Sequence, residues 1–390
     1  MSGVRAPQFI PTLNGLRGIA ALAVLHSHAG WLPNALVALT DPGDRGVMLF
    51  FCLSGLLMAE LYLRQDATRA SIWRFICARF ARIFPLFVVV VIGSALIYHF
   101  DHRFPFQLGA FAVIKHLFLF GDGLTMWSIS VEFQFYAIFV GLWLLCAAVP
   151  EKHRTAGFAL VCVGLAVALW VAEYPGGKIS ITHYGQFFLV GILAAIIHWR
   201  IPAAGIIGRS ANLVLPVLLV ALMLWPSHGA DPYQSLPLLI LAGTVVLAAV
   251  AGRGFFAEGT LGSHCMVYLG DVSFGIYLLH RPVIYFWENL IGLQLHWTAM
   301  YLIVTATLLA VSHIAHRWIE QPARRIIWNL RQLPHLQQRW RAALNEMLAQ
   351  PRSFRTMKHA AVREDKLPLP LMSAPSRQVL RRNDTSEIGF

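Results

Sequence analysis

The chain has 390 residues, 57% of them apolar and 13% charged, with a formal net charge of +12 and a mean hydropathy of +0.61. A soluble globular domain carries about 25% charged residues, so this composition excludes one and points to a polytopic membrane protein. The basic residues lie in loops beside apolar runs and in a C-terminal stretch, which fits membrane orientation and argues against a nucleic-acid partner.

Apolar runs of about 17 to 25 residues are long enough to cross a bilayer. They fall near 9–29, 46–63, 83–99, 128–149, 156–173, 181–199, 211–226, 235–251, 265–290 and 298–318. The expected fold is therefore an all-α polytopic membrane helical bundle of about ten transmembrane helices. Segment 103–121 is rich in Phe and Leu but interrupted by Arg103, Lys115 and His116, and reads as re-entrant or interfacial. On one side of the alternation, the loops carry Arg64, Arg69, Arg74, Arg79, Arg82, Lys152, Arg154, Arg200, Arg209 and Arg253; on the other they carry Arg45, Arg103, Lys115 and Lys178. Basic loops are cytoplasmic, so both termini are expected inside. The first apolar run lacks a short hydrophobic core followed by a cleavage site and is expected to stay as the first span.

Cys52, Cys77, Cys146, Cys162 and Cys265 show no CxxC spacing and are expected to be reduced, buried and structural. Residues 323–350, rich in Arg, Gln, Trp and Leu, read as a basic amphipathic segment at the inner leaflet. From 351 to 390 the chain turns polar, with Pro368, Pro370 and Pro375, and disorder is expected. The organisation is then a membrane domain over 1–322, the basic segment, and the tail. No metal-binding cluster, Walker motif or dinucleotide motif is evident.

Ionisable residues at membrane depth are costly and usually face a wet or protein interior. The first span holds Arg17 and His28. Eleven steps of roughly 100° bring them within about 20° of each other on one helical face, about 16 Å apart along the axis. His26 falls about 180° from Arg17 and should point elsewhere. In "RFARIFPLF", Arg79 and Arg82 share a face at the cytoplasmic mouth of span three; two guanidinium groups suit a phosphate, while ordinary positive-inside residues are the plainer reading. In "MWSISVEFQFYAIF", Ser128, Glu132 and Tyr136 form one stripe at intervals of four, either a site or a structural ion pair. Trp127 is an interfacial belt residue or a wall of the site. In "LGDVSFGIYLLHRPV", Ser273, Tyr277 and His280 again share a face, with Arg281 and Pro282 following; packing and catalysis are equally open for His280. Ser54 and Gly55 suggest close helix packing, and "HRWIEQPARR" resembles a helix end with a cytoplasmic anchor.

"LNGLRGIAALAVLHSH", "GVMLFFCLSG", "RFARIFPLF", "WSISVEF", "GDVSFGIYLLHRPV" and "IEQPARR", in this order from residue 9 to about 325, resemble the acyltransferase-3 family of integral membrane O-acyltransferases. The resemblance implies transfer of an acyl group, often acetyl, from cytoplasmic acyl-CoA to a hydroxyl of an extracytoplasmic glycan such as a polysaccharide or lipopolysaccharide. It also implies residence in a bacterial cytoplasmic membrane, with no permanently bound cofactor. Arg17 and His28 match the family's paired signature, and Arg79 and Arg82 its CoA-phosphate motif. The chain departs from the family at Asn14 and Met48, where aspartate is common, at Phe84 and Phe87, often tyrosine, and at Arg281, often tryptophan.

The expected mechanism makes His28 the general base, with Glu132 orienting it or offsetting its charge. Arg17 would hold Glu132 or stabilise charge on the thioester oxygen, and an acyl-His28 intermediate is a further route. The alternatives are a transporter or flippase using the buried ionisable groups as a relay, and a membrane haem protein drawing on some of the sixteen histidines.

Overall fold

The computed structural model describes residues 9–30, 32, 42–171, 179–200, 205–226, 231–292 and 295–330. Helices account for the secondary structure, with no strand among the described residues. The first, α1 (Pro11–Ser27), starts with proline at its first position, where the missing N–H costs nothing. Next come α2 (Gly43–Met58), continued by a π turn over Ala59–Leu63, then α3 (Arg69–Phe100), the short α4 (Ala110–Leu117), α5 (Trp127–Ala148) and α6 (Glu151–Val171). The second half holds α7 (Gly185–His198), α8 (Ile206–Leu224), α9 (Leu236–Ala251), α10 (His264–Asp271), α11 (Ser273–Tyr285), α12 (Trp297–Ala315) and α13 (Gln321–Leu330).

Among the described residues, six helices are long and apolar enough to cross a membrane, or seven if α9 and the π turn Phe255–Leu261, bent by 85°, make one span. The expectation of ten includes shorter pieces. Helix α1 has 17 residues and carries Arg17, α7 has 14, and the run 265–290 breaks at Val272 between α10 and α11. Segment 103–121 forms only α4, whose His116 is buried. Most of residues 323–350 and all of 351–390 lie outside the described residues.

One boundary is corrected outright. The loop expected to hold Arg69, Arg74, Arg79 and Arg82 is the N-terminal half of α3, which runs for 32 residues. Its start is fixed by a capping box: Thr68 Oγ1 accepts from the Ser71 amide at 3.1 Å, and Ser71 Oγ accepts from the Thr68 amide at 2.8 Å. Capping satisfies donors that a helix would otherwise leave open, so the helix begins well before the apolar stretch does. Cys265 is likewise exposed, whereas the other four cysteines are buried; all five are free thiols. It sits in the first turn of the short α10, outside the packed core.

The core is built on close backbone approach. A methyl group at Gly55 of α2 would collide with the Phe188 carbonyl of α7, and one at Gly191 of α7 with the Cys52 carbonyl of α2. Small residues permit such contact without a hydrophobic drive between helices. Helix α1 is joined to its neighbours in a similar way, with Gly15 against Leu261 and Gly270 against the Asn14 carbonyl. Asn14 Nδ2 also donates to Asp271 Oδ1 at 2.6 Å. An aspartate at 14 would place like charges together, which gives the departure at this position a local reason. By contrast, the best window of α6 is only 17% buried and that of α8 22%, against 72% for α2. The outer helices present apolar surface to lipid.

The contacts sort helix ends into two sets. One holds His28 beside His280, Ser128 beside Tyr277, Asp44 bonded by Tyr233, and Asp101 at the end of α3 bonded by Tyr285. The other holds Thr12 on the Ala257 carbonyl, Trp143 on the Gln65 carbonyl, and Arg64 over the Trp199 ring.

Candidate functional site

Arginines gather towards the second set of ends. Arg79 and Arg82, one turn apart on α3, are 4% and 7% exposed. The Arg79 guanidinium lies 5.7 Å from the Tyr62 ring centre. From α13, Arg324 reaches Glu320 at 3.1 Å, and Glu320 also meets His316 at 3.2 Å. Arg17, Arg79, Arg82 and Arg324 lie close enough to act on one another electrostatically, and Glu132 acts on Arg17 and Arg79. Four guanidinium groups from three helices thus face Glu132 and Glu320, a formal surplus of two positive charges. The Nε atoms of Arg17 and Arg79 are buried with no hydrogen-bond partner. Buried charge needs a counter-charge, and fork-shaped donors suit phosphate or carboxylate. The cluster has the chemistry that an anion would complement.

Arg17 also forms one end of a cavity, partly open to the outside, walled by Phe50, Phe51 and Phe274 and carrying the polar groups of Ser54, Ser128, Glu132 and Tyr277. Glu132 Oε1 accepts from Ser54 Oγ at 2.9 Å and from Tyr136 Oη at 2.6 Å. Ser128 Oγ lies 2.7 Å from Tyr277 Oη, which donates to the Thr125 carbonyl at 2.8 Å. The cavity is therefore apolar in its walls and polar at both ends, the form expected of a small-molecule site.

Histidines stand beyond Tyr277. His28 is the residue that ends α1, and its Nδ1 lies 2.8 Å from the Val24 carbonyl. His280 is fully buried, with Nδ1 2.6 Å from the Tyr277 carbonyl. A carbonyl oxygen can only accept, so each Nδ1 carries a proton, and in the neutral form of each ring the lone pair is on Nε2. The ring centres are 4.9 Å apart, tilted by 45°. His26 leaves in another direction, edge-on to Tyr301 at 6.1 Å.

The structure thus places the sequence-derived residues in one continuous line. Arg79, Arg82 and Arg17 stand at one end, Glu132 and Tyr136 beside the cavity, Ser128 and Tyr277 farther along, then His280 and His28. Ser273 sits at the start of α11 and spends its hydroxyl on the Gly270 carbonyl at 2.7 Å. Trp127 belongs to an internal aromatic cluster, stacked on Tyr184 at 4.6 Å and edge-on to Phe51. The described hydrogen bonds of Glu132 go to Ser54 and Tyr136, while the His28 ring is oriented by its own helix.

Two residues escaped the sequence reading. The sequence marks Ser54 with Gly55 as a packing pair, which holds for Gly55, yet the Ser54 hydroxyl donates to Glu132. The sequence marks Arg324 as part of a cytoplasmic anchor. The spacing of His316, Glu320 and Arg324 at intervals of four is a one-face stripe, and that signal was available.

A family model described as an acyltransferase domain matches residues 10–317. The chain belongs to the acyltransferase-3 family. It is 27% identical over 369 residues to the acyltransferase MdmB of Streptomyces mycarofaciens, covering 82% of this chain and 92% of that one. It is 24% identical over 360 residues to the peptidoglycan O-acetyltransferase OatA of Listeria monocytogenes, covering 82% of this chain and 56% of that one. The O-acetyltransferase OatA of Staphylococcus aureus is 25% identical over 367 residues, with 82% and 58% covered. The chain thus spans little more than half the length of these two O-acetyltransferases. No solved structure matches it. Family membership makes the chain an acyl-transferring enzyme, which answers the transporter reading.

Proposed function

We infer that the enzyme moves an acyl group, acetyl in the simplest case, from cytoplasmic acyl-CoA to a hydroxyl of an extracytoplasmic glycan in the cytoplasmic membrane of a bacterium. The observation that carries this reading is the succession from the surplus of arginine charge, through an apolar cavity, to the paired rings of His280 and His28. The basic residues Arg64, Arg69, Arg74 and Arg200 lie towards the arginine end in sequence, so positive-inside bias makes that end cytoplasmic, with both termini inside and shorter helices such as α1 and α7 completing a set of about ten spans.

Acyl-CoA is a substrate here. Arg79, Arg82 and Arg324 take its phosphates, and the thioester arm enters the cavity past Arg17. The acceptor hydroxyl approaches from the histidine end. His28 Nε2 removes its proton as the oxygen attacks the thioester carbon, a step suited to imidazole near neutral pH. Arg17, held near Glu132, stabilises negative charge as it develops on the thioester oxygen.

The test is mass spectrometry of envelope glycans from cells with and without the gene, together with release of thiol from acetyl-CoA by membranes containing the protein. An ester mass difference accompanied by acetyl-CoA consumption is expected. Identical glycan masses with no thiol release would refute the reading.

A further inference from the structure

His280 is a buried imidazole with a use still open. Its Nδ1 proton is committed to the Tyr277 carbonyl, which puts the Nε2 lone pair on the far side of the ring. That Nε2 is buried and has no hydrogen-bond partner. A buried acceptor left without a donor is costly, and folded proteins keep few of them without a reason. The neighbours leave few sources of a proton. Arg281, next in sequence, does not release one, and the Tyr277 hydroxyl is engaged with Thr125 and Ser128. The ring facing His280 is His28.

Position gives the second half of the argument. His280 lies between His28, at 4.9 Å, and Tyr277, at 6.2 Å between ring centres. Tyr277 lines the cavity, and neither histidine is among its lining residues. His280, 6.2 Å from Tyr277 between ring centres, stands behind that wall, with His28 on its other side. A thiolate released into an apolar cavity without a proton is a costly species.

We propose that His280 is a proton relay, accepting at Nε2 the proton that His28 takes from the acceptor hydroxyl and handing it to the departing thiolate. The proposal rests on the reading of His28 as base. The acceptor O–H bond breaks as an N–H bond forms at His28, and the oxygen bonds to the thioester carbon. The proton passes from His28 to His280, and from His280 to sulfur as the C–S bond breaks. Both rings end neutral, and an alcohol and a thioester have become an ester and a thiol with no other reactant.

The experiment compares two donors, acetyl-CoA and the acetyl thioester of 4-nitrothiophenol, whose thiolate is stable without protonation. Thiol release is followed in membrane vesicles from the source cells, which contain the native acceptor. His280→Gln is expected to slow release from acetyl-CoA by about 100-fold, in line with general acid–base catalysis, while leaving the activated donor within about threefold of the unmodified enzyme. CoA affinity should not change. Equal losses on both donors, or full activity on acetyl-CoA, would overturn the relay. His28→Ala separates the two ideas: it should silence both donors, and if it does not, the base assignment itself has failed. Should the His280 variant not fold, rates of the unmodified enzyme in mixtures of light and heavy water decide instead. A curved dependence on deuterium content reports two protons in flight and supports the relay; a straight line overturns it.

Discussion

The two ends of the cavity solve the problem of buried polarity in opposite ways. At one end, permanent cations from α1, α3 and α13 are gathered until their charge exceeds that of Glu132 and Glu320. Beyond the other, two imidazoles are each fixed at one nitrogen by a backbone carbonyl. On the proposed reading the first arrangement takes an anion and the second a proton. On the proposed reading the difference separates binding from chemistry along the cavity, so variants at the two ends should fail differently.

Changing the histidine end should give the largest effect. His28→Ala is expected to lower kcat by roughly 10²–10⁴-fold, the usual scale for a general base, with membrane insertion intact; near-normal turnover would remove His28 from the mechanism. At the arginine end, Arg79→Ala with Arg82→Ala should raise the KM for acyl-CoA by roughly 100-fold or more, since each hydrogen bond to a charged group is worth about 1.5–3 kcal/mol. A fall in kcat at constant KM would break the separation. Arg324→Ala should raise the same KM less, by roughly tenfold on the same scale, because Arg324 shares its charge with Glu320; an unchanged value would take α13 out of the donor site. The smallest effect is expected in the middle. Ser54→Ala removes one of two hydrogen bonds to Glu132, and a several-fold fall in kcat/KM, measured with acetyl-CoA, checks whether that carboxylate needs both.

Much of this arrangement was legible because lipid is an unforgiving solvent. Arg17, His28, Glu132 and His280 stand out in apolar runs, and helical phase alone separated His28 from His26, which the structure sends to Tyr301. Hydropathy failed where helices do not coincide with apolar stretches. It missed the first turns of α3, which a capping box begins, and it joined α10 to α11 across the break at Val272. It also gave no hint that Ser54 binds Glu132, because a serine beside a packing glycine has the same sequence signature whichever way its hydroxyl turns. The partners of Arg324 were hidden for a related reason: a basic residue past the last span is ordinary unless its helix folds back.

The bond from His28 Nδ1 to the Val24 carbonyl has one more effect. A helix leaves its last carbonyls without amide partners, and here the imidazole supplies a donor to one of them. The proposed base and the terminator of α1 are thus one side chain. Alanine at 28 removes both, so some of its defect is fraying. His28→Asn keeps an N–H able to reach Val24 but no basic nitrogen, and the difference in melting temperature between the two variants measures how firmly the enzyme's first helix is closed by its own reactive residue.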